Sequence, residues 1–239
     1  MKNSVLIYEG KAKKIFQTEV QNQLLMEFKD SLTAFNAQKK GEFLGKGQLN
    51  CKISTYLFKL LAKNEVPHHW IKTENDQKHM LVEKTMIIPL EVVVRNVLAG
   101  SLATKLNLPE GQKLKKPLVE LYFKKDELND PFVSDDQAIE FGWVANHQLL
   151  EMKCWALKIN QILTKCFLAA DLKLIDFKIE FGLNSQNQII LADEISPDCM
   201  RLWDINTDEK FDKDRFRRDL GQVAEGYQSV LTRLEGIPL

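Results

Sequence analysis

The stretch Asp176-Phe177-Lys178-Ile179-Glu180 sets two carboxylates and an ammonium at every second residue. On a strand, alternate side chains share a face, so Asp176, Lys178 and Glu180 point one way and Ile175, Phe177, Ile179 and Phe181 the other. With a turn at 184–187, the spacing places Lys178 opposite Asp193 on the returning strand. A slip of one residue would turn Asp193 away. Two carboxylates beside a lysine suit Mg²⁺ held jointly with substrate phosphates. The ammonium can offset a substrate carboxylate or a phosphoryl group in transfer. The same alternation also fits a half-exposed sheet face whose charges merely pair.

Three further segments carry charge in suggestive places. Glu9-Gly10-Lys11-Ala12-Lys13-Lys14 is a glycine turn rich in lysine, able to present backbone amides and ammonium groups to a phosphate, or to be a solvated basic turn. Its spacing is neither that of a P-loop nor that of a dinucleotide fingerprint. The apolar run Pro89-Leu90-Glu91-Val92-Val93-Val94-Arg95 ends on an arginine, and Ala99-Gly100-Ser101 follows. Arg95, with Ser101 opening a helix, reads as a monophosphate site or as a plain strand-turn-helix junction. Arg201, behind Asp193-Glu194-Ile195-Ser196-Pro197-Asp198, can grip a phosphate or carboxylate through its planar fork, or form an ion pair with Asp198 or Asp204. His68, His69, His79 and His147 lack neighbours at ligand spacing and read as surface or structural residues.

The elements that must position these groups follow from periodicity. Short strands are expected at 4–8, 15–16 and 24–28, then a helix over 48–63 whose apolar residues repeat at three and four. Strands are expected at 80–83, 87–96 and 118–123, with Glu83-Lys84-Thr85 as a polar break between two lobes. A helix over 147–170, with Leu150, Cys154 and Leu157 on its apolar face, precedes a hairpin of 173–181 and 188–195. A last helix begins after Asp212 and buries Phe216, Leu220, Val223, Tyr227, Val230 and Leu231. The class is α+β, in two lobes.

Bulk properties exclude several functions. Lys plus Arg and Asp plus Glu both number 33, so the basic excess of a nucleic-acid binder is missing. The 239 residues contain no apolar run long enough for a membrane helix and no signal-peptide core. The four cysteines have neither disulfide-framework nor zinc-ligand spacing, and the expected setting is cytoplasmic with reduced thiols.

Taken in order, Tyr8-Glu9-Gly10-Lys11-Ala12-Lys13, residues 30–36, Ile88-Pro89-Leu90-Glu91-Val92-Val93-Val94-Arg95 through Ser101, Asp176-Phe177-Lys178-Ile179-Glu180-Phe181-Gly182, and Ala192-Asp193-Glu194-Ile195-Ser196-Pro197-Asp198 through Arg201-Leu202-Trp203-Asp204 resemble the SAICAR synthetase family. The likeness spans nearly the whole chain. It implies a small β-rich ATP-binding lobe at 1–84 and a larger α+β lobe at 85–239, with the active-site cleft between them. By that likeness Lys11, Ala12, Lys13, Lys84 and Met86 bind ATP, the segment 83–86 lining the adenine pocket. Arg95, Ser101, Asp130, Asp198 and Arg201 bind the substrate ribotide. Lys178 and Asp176 are the catalytic residues near the imidazole carboxylate, and Glu180 and Asp193 hold Mg²⁺. Two positions depart from the family pattern: Ala37 stands where glycine is frequent, and Cys199-Met200 stand before Arg201 where a small or hydroxyl residue is common.

The implied reaction joins 5-amino-1-(5-phosphoribosyl)imidazole-4-carboxylate to L-aspartate, giving SAICAR, ADP and phosphate through an acyl phosphate. The cofactors are ATP and Mg²⁺, the partners small molecules, with no nucleic acid, no membrane, and homo-oligomerisation left open. Two rivals use the same residues. A small-molecule kinase would pass phosphate to a hydroxyl, and a ribotide-binding protein would have no need of both Glu180 and Asp193.

Overall fold

The computed structural model describes residues 5–34 and 39–239, with the backbone alone at Ala34. Three antiparallel strands come first: β1 (Leu6–Glu9), β2 (Lys13–Gln17) and β3 (Gln23–Phe28). β4 (Ser31–Ala34) and β5 (Lys39–Glu42) form a separate ribbon, α1 (Lys46–Lys63) follows, and β6 (Trp70–Thr73) and β7 (His79–Glu83) return to the first sheet. That sheet has the order β1-β2-β3-β7-β6. Residues Phe35, Asn36 and Ala37 of the 30–36 segment and its flank lie outside the described residues. Asp30, at its start, accepts the Gly47 amide at 2.8 Å and so satisfies one open donor of α1.

The second sheet is built from β8 (Met86–Val97), which leads into α2 (Gly100–Leu106), then β9 (Lys113–Phe123) and β10 (Phe132–Val133). After α3 (Asp135–Glu140) and α4 (Asn146–Ala169) come β11 (Leu172–Leu183), β12 (Ile189–Ala192) and β13 (Met200–Asp204). α5 (Asp214–Arg217) and α6 (Val223–Glu235) close the chain. The sheet order is β10-β9-β8-β11-β12, with β13 also on β11, and every pairing is antiparallel.

Residues 84–85 pass from one sheet to the other. The sheets meet again where the His69 amide donates to Leu191 O and the Leu191 amide to Pro67 O, both at 2.9 Å. One apolar core runs through both. It joins Met26 and Met80 of the first sheet, Ile53 and Leu57 of α1, and Val92 and Ile179 of the second sheet. The class is α+β, as the sequence pattern requires.

β11 is the strand on which the site depends. β8 flanks it along one side, from Asp176 opposite Arg95 to Leu183 opposite Met86. Its other side is shared, with β13 pairing residues from Leu172 to Phe177 and β12 those from Glu180 to Leu183. In the gap between them, the Lys178 amide donates to Cys199 O at 2.8 Å. The connection from β12 to β13 therefore lies against the charged middle of β11.

Three expectations need correction. The hairpin turn falls at 184–187, but Glu180 pairs with Ala192, one residue out of the expected register. Asp193 ends the strand in left-handed backbone, φ 63°, and it lines the cavity by that turn rather than by strand alternation. On α4 the buried stripe is Leu149, Met152, Ala156, Ile159 and Leu163, while Leu150 is 58% exposed. The reason is length: the Leu150 stripe decays into Gln161 and Lys165, whereas the other keeps its apolar repeat. The last helix is interrupted, because Asp219, Gly221 and Gln222 all take positive φ. Asp212 instead lies just ahead of the short α5 and accepts the Asp214 amide at 2.7 Å, and Leu220 is exposed.

The start of α1 lies tightly on β3. A Cβ at Gly47 would come within 2.5 Å of Phe28 O, a backbone atom with nowhere to move. Gly47→Ala should therefore destabilise the protein by about 1–3 kcal/mol in urea unfolding. An unchanged midpoint would show that α1 can shift away from β3 at no cost.

Candidate active site

One face of the second sheet carries a charged lattice in register. Asp176 of β11 has Arg95 of β8 opposite it on one side and Arg201 of β13 on the other. Arg95 Nη1 donates to Asp176 Oδ2 at 2.8 Å, and Arg201 Nη1 to the same oxygen at 2.8 Å. Arg95 also donates to Glu120 Oε2 at 2.8 Å and to the Tyr122 hydroxyl at 3.2 Å, both from β9. Arg201 Nε reaches Asp214 Oδ2 at 2.9 Å. Its partners are thus Asp176 and Asp214, not Asp198 or Asp204. Burial works against the charge of Arg95 and Arg201, yet their carboxylate neighbours, Asp176 first, raise both guanidiniums above their ordinary value.

Two residues along, Lys178 forms ion pairs with Glu91 and with Glu180, the latter at 3.5 Å, and Lys124 pairs with the other Glu180 oxygen. Burial opposes the Lys178 ammonium, but Glu180 and Glu91 outweigh it and hold its pKa well up. Glu91 moves up as well, because its burial exceeds the help from Lys178. The carboxylates of Glu180 and Asp193 meet a shared set of lysines. Lys13 pairs with Asp193 and, at 3.2 Å, with Glu194. Burial would raise Asp193, but Lys13, Lys124 and Lys178 together pull it well below the usual carboxylate range.

These groups line one cavity of about 800 Å³ between the first turn and the charged sheet face. Lys11, Ala12, Lys13, Arg95, Ser101 and Asp130 of the expected residues line it, as do Asp176, Lys178, Glu180, Asp193, Asp198 and Arg201. Lys84 and Met86 do not; both are exposed, Met86 to 66%. Two backbone donors expected to serve a phosphate are already engaged. The Gly10 amide donates to Lys13 O at 2.9 Å and the Gly100 amide to Glu110 Oε1 at 2.7 Å. Gly100 is instead required by close approach: with φ +57°, a Cβ there would lie 2.3 Å from Arg201 Nη2.

Asp198 lines the cavity but is saturated from behind. Lys46 Nζ at 2.6 Å and Asn50 Nδ2 at 2.9 Å donate to its Oδ2, and the Tyr227 hydroxyl donates to Oδ1 at 2.6 Å. Burial would raise Asp198, but Lys46 holds it down at about 2. Sequence reasoning missed Lys46 and Tyr227, as well as Glu91 and Lys124. Glu91 was findable, since strand alternation puts it on the face of Arg95. Lys46 and Tyr227 sit on helices far away in sequence, and no local pattern marks them.

A cavity whose lining interleaves lysines and arginines with as many carboxylates suits phosphorylated substrates, a nucleotide polyphosphate with its cation among them. The comparisons agree on the kind of protein. The SAICAR synthetase family model matches residues 6–234. The chain is 50% identical over 237 residues to phosphoribosylaminoimidazole-succinocarboxamide synthase of Anoxybacillus flavithermus, covering 99% of this chain and 98% of that one. It is 52% identical over 235 residues to the Campylobacter curvus enzyme of that name, covering 98% and 99%. The crystal structure of the synthase from Ehrlichia chaffeensis superposes with a TM-score of 0.95 at 45% identity, covering 98% of this chain and all of that one. A SAICAR synthetase in complex with ADP superposes with a TM-score of 0.93 at 44% identity, covering 97% and 98%. The chain belongs to the SAICAR synthetase family, enzymes of purine biosynthesis.

His69 carries the pH sensitivity of the site's frame. Burial lowers its pKa from 6.5 to about 4, against the pull of Asp193, whose carbonyl oxygen lies 2.8 Å from its Nε2. A depressed imidazole stabilises the fold fully above the unfolded value and loses that contribution as pH falls towards 4, about 3 kcal/mol in all. His69→Gln should therefore lose less stability than wild type between pH 7 and pH 4.5, read from urea midpoints. Parallel losses would show that His69 is protonated in the fold.

Proposed function

We propose that the protein condenses 5-amino-1-(5-phosphoribosyl)imidazole-4-carboxylate with L-aspartate at the expense of ATP, giving SAICAR, ADP and phosphate. The observation that carries this reading is the position of Lys178, between Glu91 and Glu180 and beside Asp193, inside a cavity whose other end holds Arg95 and Arg201. A carboxylate resists attack by an amine because oxide would have to leave. Phosphorylation removes that obstacle, and this cavity has groups for both partners of such a step.

The nucleotide phosphates lie, on this reading, against Lys11 and Lys13, with the 1–84 segment as the ATP-binding lobe and 85–239 as the lobe of substrate and metal sites. The ADP complex of a 44% identical relative supports the nucleotide assignment. Lys84 and Met86 then serve the adenine end, beyond the cavity itself. The ribotide phosphate takes Arg201, Arg95 and Ser101, and its imidazole carboxylate lies near Lys178, Asp176 and Asp130. One carboxylate oxygen attacks the γ-phosphorus and ADP leaves. The amine nitrogen of aspartate then attacks the acyl carbon, phosphate leaves, and the amine gives up a proton.

Lys178 orients the attacking carboxylate and offsets its charge, while Glu91 and Glu180 fix where the ammonium stands. Asp176 keeps both arginines in place rather than touching the reacting bond. Among the described residues no three His, Cys, Asp or Glu side chains form a ready-made metal cage. Glu180 and Asp193 nevertheless fit Mg²⁺, which takes one or two carboxylates and fills its remaining positions with phosphate oxygens and water. Held there, Mg²⁺ supplies charge neutralisation for the transferring phosphoryl group. Among the described residues no helix is long and apolar enough to cross a membrane, and the four cysteines are free, which goes with a cytoplasmic setting.

ADP release should require Mg-ATP, the ribotide and aspartate together, with the succinocarboxamide formed in equal amount. Release that persists without aspartate would make the protein a kinase or ATPase instead. Glu180→Gln should reduce turnover by about 10²–10³-fold while leaving ribotide affinity unchanged. Equal loss of both would remove Glu180 from the metal.

A further inference from the structure

Lys213 stands apart from the other cations of the cavity. Each other lysine or arginine lining it lies within ion-pair distance of a carboxylate: Lys13, Lys178 and Arg201 in the ways described, and Arg217 with Asp214 Oδ1 at 2.5 Å. Lys213 lines the same cavity, is half-buried, and among the described residues has no carboxylate partner and no side-chain hydrogen bond. The carboxylate whose field it feels most is Asp198, and the oxygens of Asp198 are taken by Lys46, Asn50 and Tyr227. Desolvation accordingly lowers Lys213 from its ordinary value despite Asp198. A partly desolvated ammonium with no counter-ion is costly, and an arriving anion relieves that cost.

The position of Lys213 narrows the identity of the anion. Its backbone amide donates to Pro197 O at 3.3 Å, which ties it to the 193–199 connection. Glu194 of that connection pairs with Lys13, at the nucleotide end. On its other side Arg217 shares Asp214 with Arg201, at the ribotide end. Lys213 therefore borders the stretch between the two phosphate-binding ends, where a nucleophile must enter to reach an activated carboxylate. Arg201, Arg95 and Ser101 already provide for the ribotide phosphate, and the guanidinium of Arg201 lies against Gly100 at the start of α2.

We propose that Lys213 binds a carboxylate of the amino-acid substrate, L-aspartate, and so sets the entry point of the nucleophile; this rests on the ligase reading given above. Arg217, which shares the single carboxylate of Asp214 with Arg201 and Arg218, adds positive field beside it, and this favours a dicarboxylate over a neutral or monocarboxylic amino acid.

The test measures KM for aspartate, ribotide and ATP in Lys213→Met and Lys213→Arg, with ribotide Kd determined by calorimetry in the absence of aspartate. The methionine variant should raise the aspartate KM by about ten-fold or more, from a lost charged hydrogen bond, with ribotide Kd and ATP KM unmoved. The arginine variant should recover part of that loss, which a merely structural role would not predict. Ribotide Kd weakened by a similar factor, with aspartate KM unchanged, would place Lys213 on the phosphate and overturn the proposal. Unchanged constants for all three substrates would overturn it too. Should the methionine variant fail to fold, Lys213→Gln replaces it, with the same rise in aspartate KM expected and the same results overturning the proposal. Wild-type protein that releases ADP without aspartate would instead overturn the ligase reading itself.

Discussion

Asp176 lies between two guanidiniums on neighbouring strands, and the charged face of the second sheet is laid out from that arrangement. Its side chain is nearly inaccessible, as is that of Arg95. Removing either partner of such a pair strands a buried charge, a cost of about 3–5 kcal/mol. The pairing also fixes rotamers, because Arg95 must satisfy Glu120, Tyr122 and Asp176 at once. With Arg95 and Arg201 held, strand register dictates that Lys178 and Glu180 follow at intervals of two along β11.

The second constraint is the division of the edge of β11 between two partners. Where β12 stops and β13 has not yet begun, the connection from 193 to 199 supplies the missing backbone acceptor through Cys199 O. That brings Asp193, Glu194 and Asp198 to the charged face without using strand positions for them. Lys46 and Tyr227 then brace the connection from behind through Asp198. The formal charge balance of zero is repeated inside the cavity, whose lining carries as many carboxylates as lysines and arginines, so the order of charges along the sheet, not an excess of one sign, makes the site.

Most of the site was legible because it is written in local patterns. Alternation placed Asp176, Lys178 and Glu180 on one face, and an arginine at the end of an apolar strand marked Arg95. What escaped depends on distance in the chain or on single dihedral angles. The left-handed turn at Asp193 corrects a one-residue error in register, and no spacing rule announces it. α4 starts with apolar residues on two faces, and only the full length of the helix shows which stripe persists and is buried. The final helix has an unbroken apolar repeat in sequence, but three residues of positive φ divide it. The ion-pair partners of Arg201 belong to β11 and α5, so nearby aspartates misled.

The contact between Gly100 and Arg201 has a consequence for how sequences of this fold can drift. A guanidinium occupies the volume that any side chain at position 100 would need, and the backbone there is left-handed as well. The two positions, about a hundred residues apart, therefore cannot vary independently. A lineage that acquires a side chain at 100 must first have shortened or redirected residue 201, and so have rebuilt its grip on Asp176. Viable substitutions at these two sites should arrive as a linked pair, in that order.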